Sequence, residues 1–131
     1  MTEAAFVSFV KGHLRRASRF WKPITDTLKA ANLRRGVYLC NECKEEVSKS
    51  VVINGKRVNN ISVDHKNAIV DPTTGFSGWD DFVNNLYCET ENLQVLCKAC
   101  HDKKSSEERN LAKESRDKKK EQNENSIQSL P

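Results

Sequence analysis

Asn92-Leu93-Gln94-Val95-Leu96-Cys97-Lys98-Ala99-Cys100-His101 joins an apolar run to a Cys-x-x-Cys pair with a histidine directly behind it, and its reading decides the fold. A second pair, Cys40-Asn41-Glu42-Cys43, stands far upstream. Two thiolates at this spacing grip one tetrahedral zinc ion from a single turn. Cys40, Cys43, Cys97 and Cys100 therefore supply a closed four-sulfur structural site. Common zinc ribbons leave roughly 15 to 20 residues between their pairs, and the wider interval here has room for a functional unit. His101 is a poor competitor for this zinc. Four cysteines complete the tetrahedron, and the residue after a ligand on a helix points roughly 100° away around the axis.

Outward from that stretch, Ile61-Ser62-Val63 alternates as a strand does and leads directly into Asp64-His65. Val51-Val52-Ile53 and Lys56-Arg57-Val58 flank Asn54-Gly55, a dipeptide suited to a tight hairpin because both residues tolerate positive φ. After a loop with Pro72, Gly75 and Gly78, a short helix over residues 79–87 packs Trp79, Phe82, Val83 and Leu86 over the core. A charged helix is expected from about His101, and residues 114–131 offer little to bury and read as a helix extension that frays into a disordered tail. Near the N-terminus, Phe6, Phe9, Val10, Leu14, Ala17 and Trp21 recur at helical spacing. Lys11, Arg15, Arg19 and Lys22 form a stripe on another face. Pro23 suits the first turn of a second helix through Ile24, Leu28 and Ala31, which Gly36 is placed to end.

A chain of 131 residues with 37% hydrophobic and 31% charged residues fits one small domain that profits from a metal staple. The net charge of +4 is unevenly spread. Up to Tyr38 the acids are Glu3 and Asp26, against Lys11, Arg15, Arg16, Arg19, Lys22, Lys29, Arg34 and Arg35. Such an arm favours a polyanion, nucleic acid or an acidic membrane, although a solvated helix face is the commoner fate of such charges. No transmembrane run or signal peptide is visible, so an intracellular, cytoplasmic protein is expected. In a reducing compartment the paired cysteines read as metal ligands rather than disulfides. Cys88 reads as a small core residue and His13 as a packed or rim histidine.

The remaining polar residues suggest chemistry. Asp64 is a hard oxygen ligand and His101 an imidazole, a mixed pair that suits Mg²⁺, Mn²⁺ or a later transition ion and leaves positions open for water and substrate. His65 has the one side chain whose ordinary pKa lets it take a proton from water near neutrality. Adjacent strand residues point to opposite faces, so Asp64 and His65 serve one reaction only if the strand ends there or both reach one narrow edge. Singly, Asp64 reads as a turn cap, His65 as a surface imidazole and Asn92 as a helix cap.

Together, the order Cys-x-x-Cys, Val63-Asp64-His65, then Glu91-Asn92-Leu93-Gln94-Val95-Leu96-Cys-x-x-Cys-His closely resembles the HNH endonucleases of the ββα-metal class, in the subgroup with a four-cysteine zinc site. The resemblance covers residues 38–113. Residues 14–38, with Arg15-Arg16-Ala17-Ser18-Arg19-Phe20-Trp21-Lys22-Pro23 and Arg34-Arg35-Gly36-Val37-Tyr38, look like the arm preceding this module in bacteriophage homing-type endonucleases. The likeness implies an α+β fold: a basic helical arm over residues 1–36, a zinc-stabilised ββα-metal core over 37–113 and the charged tail. It also implies hydrolysis of phosphodiester bonds in double-stranded DNA, in the host cytoplasm if the chain is phage-encoded. His65 would be the general base, Asp64 and His101 would hold a catalytic Mg²⁺ or Mn²⁺, and Asn92 would orient the base or brace its loop. Lys11, Arg15, Arg16, Arg19, Lys22, Arg34 and Arg35 would lie on the nucleic acid. A monomer that does not bind membranes is expected, with pairing on DNA as the alternative. The hairpin over residues 47–60 departs from the family pattern. A non-catalytic zinc-stapled nucleic-acid binding module is the competing reading, and a protein-binding zinc adaptor a third.

Overall fold

Thr2 opens the first helix, its side-chain oxygen accepting from the Ala5 N–H at 3.2 Å. That helix is α1 (Glu3–Ser18), and α2 (Lys22–Ala31) follows with proline in its first turn. The computed structural model describes residues 2–128. The chain then runs through β1 (Asn32–Arg34), β2 (Val37–Leu39), β3 (Glu46–Ser48), β4 (Ser50–Ile53), β5 (Lys56–Asn59) and β6 (Ile61–His65). Next come α3 (Trp79–Leu86), a single 3₁₀ turn (Thr90–Asn92), β7 (Leu93–Cys97) and α4 (Lys98–Gln128). The result is a small α+β protein with three small antiparallel sheets, β1-β2-β3, β4-β5 and β6-β7. The hairpin turn forms as expected, with Asn54 at φ 51° and Gly55 at φ 77°.

The β6-β7 pair is the centre. It runs in register from Ile61 opposite Cys97 to His65 opposite Leu93. Val95 and Leu96 point to opposite faces, yet both are buried, because α2 and α4 each pack on β7. On one face Val95 joins Tyr38 and Ile61, with Leu28 and Ala31 of α2 against them. On the other Leu96 meets Cys40, Cys97 and Val47. Phe82 and Leu86 anchor α3. The first Cys-x-x-Cys turn covers the outer edge of β7, where the Asn41 N–H donates to the Val95 carbonyl at 2.8 Å.

Four expectations change. The second helix stops at Ala31 rather than near Gly36, because residues 32–34 pair with β2, and Gly36 (φ 75°) serves the turn between these strands. A boundary at residue 36 therefore falls inside a hairpin, and α2 belongs to the core. The last helix begins at Lys98, so the second cysteine pair is its first turn, and it runs past Lys113 to Gln128. Absence of glycine and proline, together with abundant Lys, Glu, Gln and Arg, lets the expected helix extension hold as far as Gln128, where fraying into disorder was expected. Residues 129–131 of that tail lie outside the described residues. Cys88 is half-buried rather than part of the core.

Candidate functional site

Four sulfurs converge first. The Sγ atoms of Cys40, Cys43, Cys97 and Cys100 lie within 4.8 Å of one another. A tetrahedron with Zn–S bonds of ~2.3 Å has edges of about 3.8 Å, so the cluster closes on zinc with a small contraction. Hydrogen bonding is shared unevenly among them. Burial opposes ionisation of Cys40, but the backbone N–H groups of Cys97, Cys43 and Glu42 outweigh it and bring its thiol down to about 6. Burial, followed by bonds to the other thiols, pushes Cys100 up to about 12. These four cysteines fit a structural zinc. His101 is not part of the cluster.

His101 instead lines two adjoining cavities, of about 520 and 320 Å³, together with Asp64, His65 and Arg15. The residues singled out for chemistry thus share one place. Strand β6 ends at His65, and the chain bends away at residues 66–67. His65 Nε2 donates to the Leu86 carbonyl of α3 at 2.8 Å, which leaves Nδ1 with its lone pair. Asn92 braces the bend: its carbonyl accepts from the Lys66 N–H at 2.8 Å and its Oδ1 from the Asn67 N–H at 3.1 Å.

Asp64 is held from two sides. Gln94 donates to its Oδ2 at 3.4 Å, and the Gln94 Oε1 accepts from Asn41 at 2.8 Å, so a residue of the zinc turn reaches the carboxylate through one intermediate. Lys104 places its ammonium on the same Oδ2 at 2.5 Å and also donates to the His65 carbonyl. Asp64 Oδ1 has no protein partner among the described residues. The sequence reading missed Lys104. Helical spacing carried the signal, since 101 and 104 share a face, but the lysine is one of many on a highly charged helix.

No family model, curated protein or solved structure matches this chain. Its chemistry must therefore be argued from its own residues.

The basic stripe has intramolecular neighbours. Lys11 lies over the Phe76 ring at 5.5 Å, Arg15 over Phe82 at 5.6 Å and Arg19 over Phe20 at 4.8 Å. Lys22 pairs with Asp26 at 2.6 Å, Arg34 with Glu46 at 2.7 Å, and Arg16 bonds His13 Nδ1 at 3.0 Å. Arg35 is exposed. The apolar stripe is the more open one at its start, with Phe6 and Phe9 52% and 57% exposed. Trp21 and Leu14 tie the arm down: the Trp21 indole donates to the Cys88 carbonyl at 2.8 Å, and the Tyr87 hydroxyl donates to the Leu14 carbonyl at 3.0 Å. No helix among the described residues is long and apolar enough to cross a membrane.

Proposed function

We propose that this protein is a metal-dependent endonuclease of the HNH type that hydrolyses phosphodiester bonds in duplex DNA, of the kind carried by phages and mobile elements. The observation that carries this reading is the convergence of Asp64, His65 and His101, with Arg15, where two cavities adjoin. In this reading His65 Nδ1 takes the proton from the attacking water, because the Leu86 carbonyl holds Nε2 in its protonated form. Asn92 keeps the base in place through the backbone of residues 66–67. Arg15 steadies the phosphate. The donor set fits a divalent cation, with a free carboxylate oxygen on Asp64 and an imidazole on His101 opening on the same cavities. When bound, such a cation supplies positive charge to the pentacovalent phosphate and the departing 3′ oxygen.

His65→Ala is expected to keep its zinc and its fold while losing plasmid cleavage by on the order of a hundredfold in Mg²⁺ or Mn²⁺. Cleavage at the wild-type rate would assign the base elsewhere.

One observation favours the non-catalytic binding module. Lys104 already neutralises Asp64 at 2.5 Å, as a protein that never takes up a cation there would require. Titration of Mn²⁺ into the zinc-loaded protein separates the two readings. The nuclease shows a site that Asp64→Ala abolishes, and the binding module shows none.

A further inference from the structure

The larger cavity is an open groove along the unpaired edge of β6. Its ladder parity follows from two flanking bonds: Lys98 N–H donates to the Asn60 carbonyl and Lys66 N–H to the Asn92 carbonyl. With Ile61 opposite Cys97, residues 60, 62, 64 and 66 face β7, and the main-chain groups of Ile61, Val63 and His65 point outward. The Ile61 carbonyl is taken by the Asn59 side chain at 2.6 Å and that of His65 by Lys104. The N–H and C=O of Val63 have no partner among the described residues. Helix α2 forms the opposite wall with Ile24, Thr25 and Leu28, and Ile69 and Leu86 complete an aliphatic floor. From Asn59 to His65 the groove is about 20 Å long at ~3.3 Å per residue.

Charge selects the occupant. Arg15 stands at the chemical end, where it also lines the adjoining cavity, Lys49 lies at the far end beside Asn60, and Arg19 lines the groove as well, against a single lining carboxylate, Asp64. A peptide strand would find a free main-chain N–H and C=O pair only at Val63 on the β6 edge, and only an acidic one would gain from these cations. An intact duplex keeps its base faces stacked inside and leaves the aliphatic floor bare. An unpaired strand satisfies both requirements, laying bases on the floor and phosphates on the rims. We infer that this groove binds a short unpaired segment of the strand to be cut, so that the preferred substrate is DNA whose target strand is locally unpaired beside the scissile phosphate. The position of that phosphate rests on the nuclease reading, whereas the groove's preference for unpaired strand does not.

The full-length, zinc-loaded protein is titrated in buffer free of other divalent cations against two fluorescent probes, a blunt DNA duplex and the same duplex interrupted by a few unpaired nucleotides. The interrupted duplex should bind on the order of tenfold more tightly. Thr25→Trp, which fills the groove, and Lys49→Glu, which reverses its far rim, should each abolish the difference while circular dichroism stays native. Equal affinity for the two probes, or a preference that survives in both folded variants, overturns the inference. Adding Mg²⁺ or Mn²⁺ then tests the other reading: no cleavage of either probe counts against the nuclease and leaves the binding preference standing.

Discussion

Cys40 and Cys100 belong to one sulfur cluster but differ by a proton at neutral pH. The Cys40 thiol, drawn down to about 6 despite its burial, is mostly thiolate at pH 7.5. Cys100, held up at about 12 by burial, is a thiol, and Cys43 also lies above its ordinary value: the backbone N–H of Glu45 pulls it down, but bonding with Cys40, burial and bonding with Cys97 together outweigh that pull. Zinc binds thiolates, so taking up the ion must expel the protons of Cys43 and Cys100. Calorimetric titration of zinc into the metal-free protein at pH 7.5, in buffers of different ionisation enthalpy, should report release of at least two protons. Below about pH 6 Cys40 is protonated as well, and affinity should fall more steeply with acid. Zinc uptake without proton release would place the ion elsewhere. Cys100→Ser should lose the ion and become protease-sensitive, because the described core is small and two of its buried side chains, Cys40 and Cys97, belong to the four-cysteine cluster.

At the scale of elements, the proposed nucleic-acid interface rests on the end of helix α1. Arg15 and Arg19 line the groove, whereas Lys22 is matched by Asp26 on its own helix. Arg15→Gln and Arg19→Gln should each flatten the slope of log affinity against log salt on duplex DNA by about 0.9, the increment for one phosphate contact. Lys22→Gln should leave it unchanged. Equal effects at all three positions would mean a diffuse cationic surface instead of an oriented one. What could be read from sequence follows from how local the determinants are. The Asn54-Gly55 hairpin, the strand into His65 and the first turn of α2 were legible because turn chemistry, alternation and proline act within a few residues. The end of α2 was not, because Asn32 and Arg34 are drawn into pairing with Tyr38 and Val37, a tertiary event that overrides glycine as a helix stop. Donor chemistry and the resemblance to the HNH pattern brought Asp64, His65 and His101 under suspicion. Their shared cavities, and the path from Asn41 through Gln94 to Asp64, depend on the β6-β7 register and lie beyond spacing.

For the whole molecule, the proposed nuclease reading raises the question of how many strands one chain would cut. Each chain holds one His65 and one Asp64–His101 pair, and in the proposed reaction a single site would attack one phosphodiester without letting go. A second site would need a second chain, and hence a surface to hold it. Helix α4 is charged on all sides, and the exposed phenylalanines of α1, Phe6 and Phe9, are two side chains, where a standard interface buries about 800 Å² on each partner. A monomer working on duplex DNA should therefore nick first. The linear product should follow only as independent nicks accumulate on opposite strands. Supercoiled plasmid followed over time at limiting protein, with Mg²⁺ or Mn²⁺ present, should pass through an open-circular band whose initial rate of formation is first order in protein. Direct conversion to linear DNA at every protein concentration would require two chains acting together, and would make Phe6 and Phe9 the first residues to test as their contact.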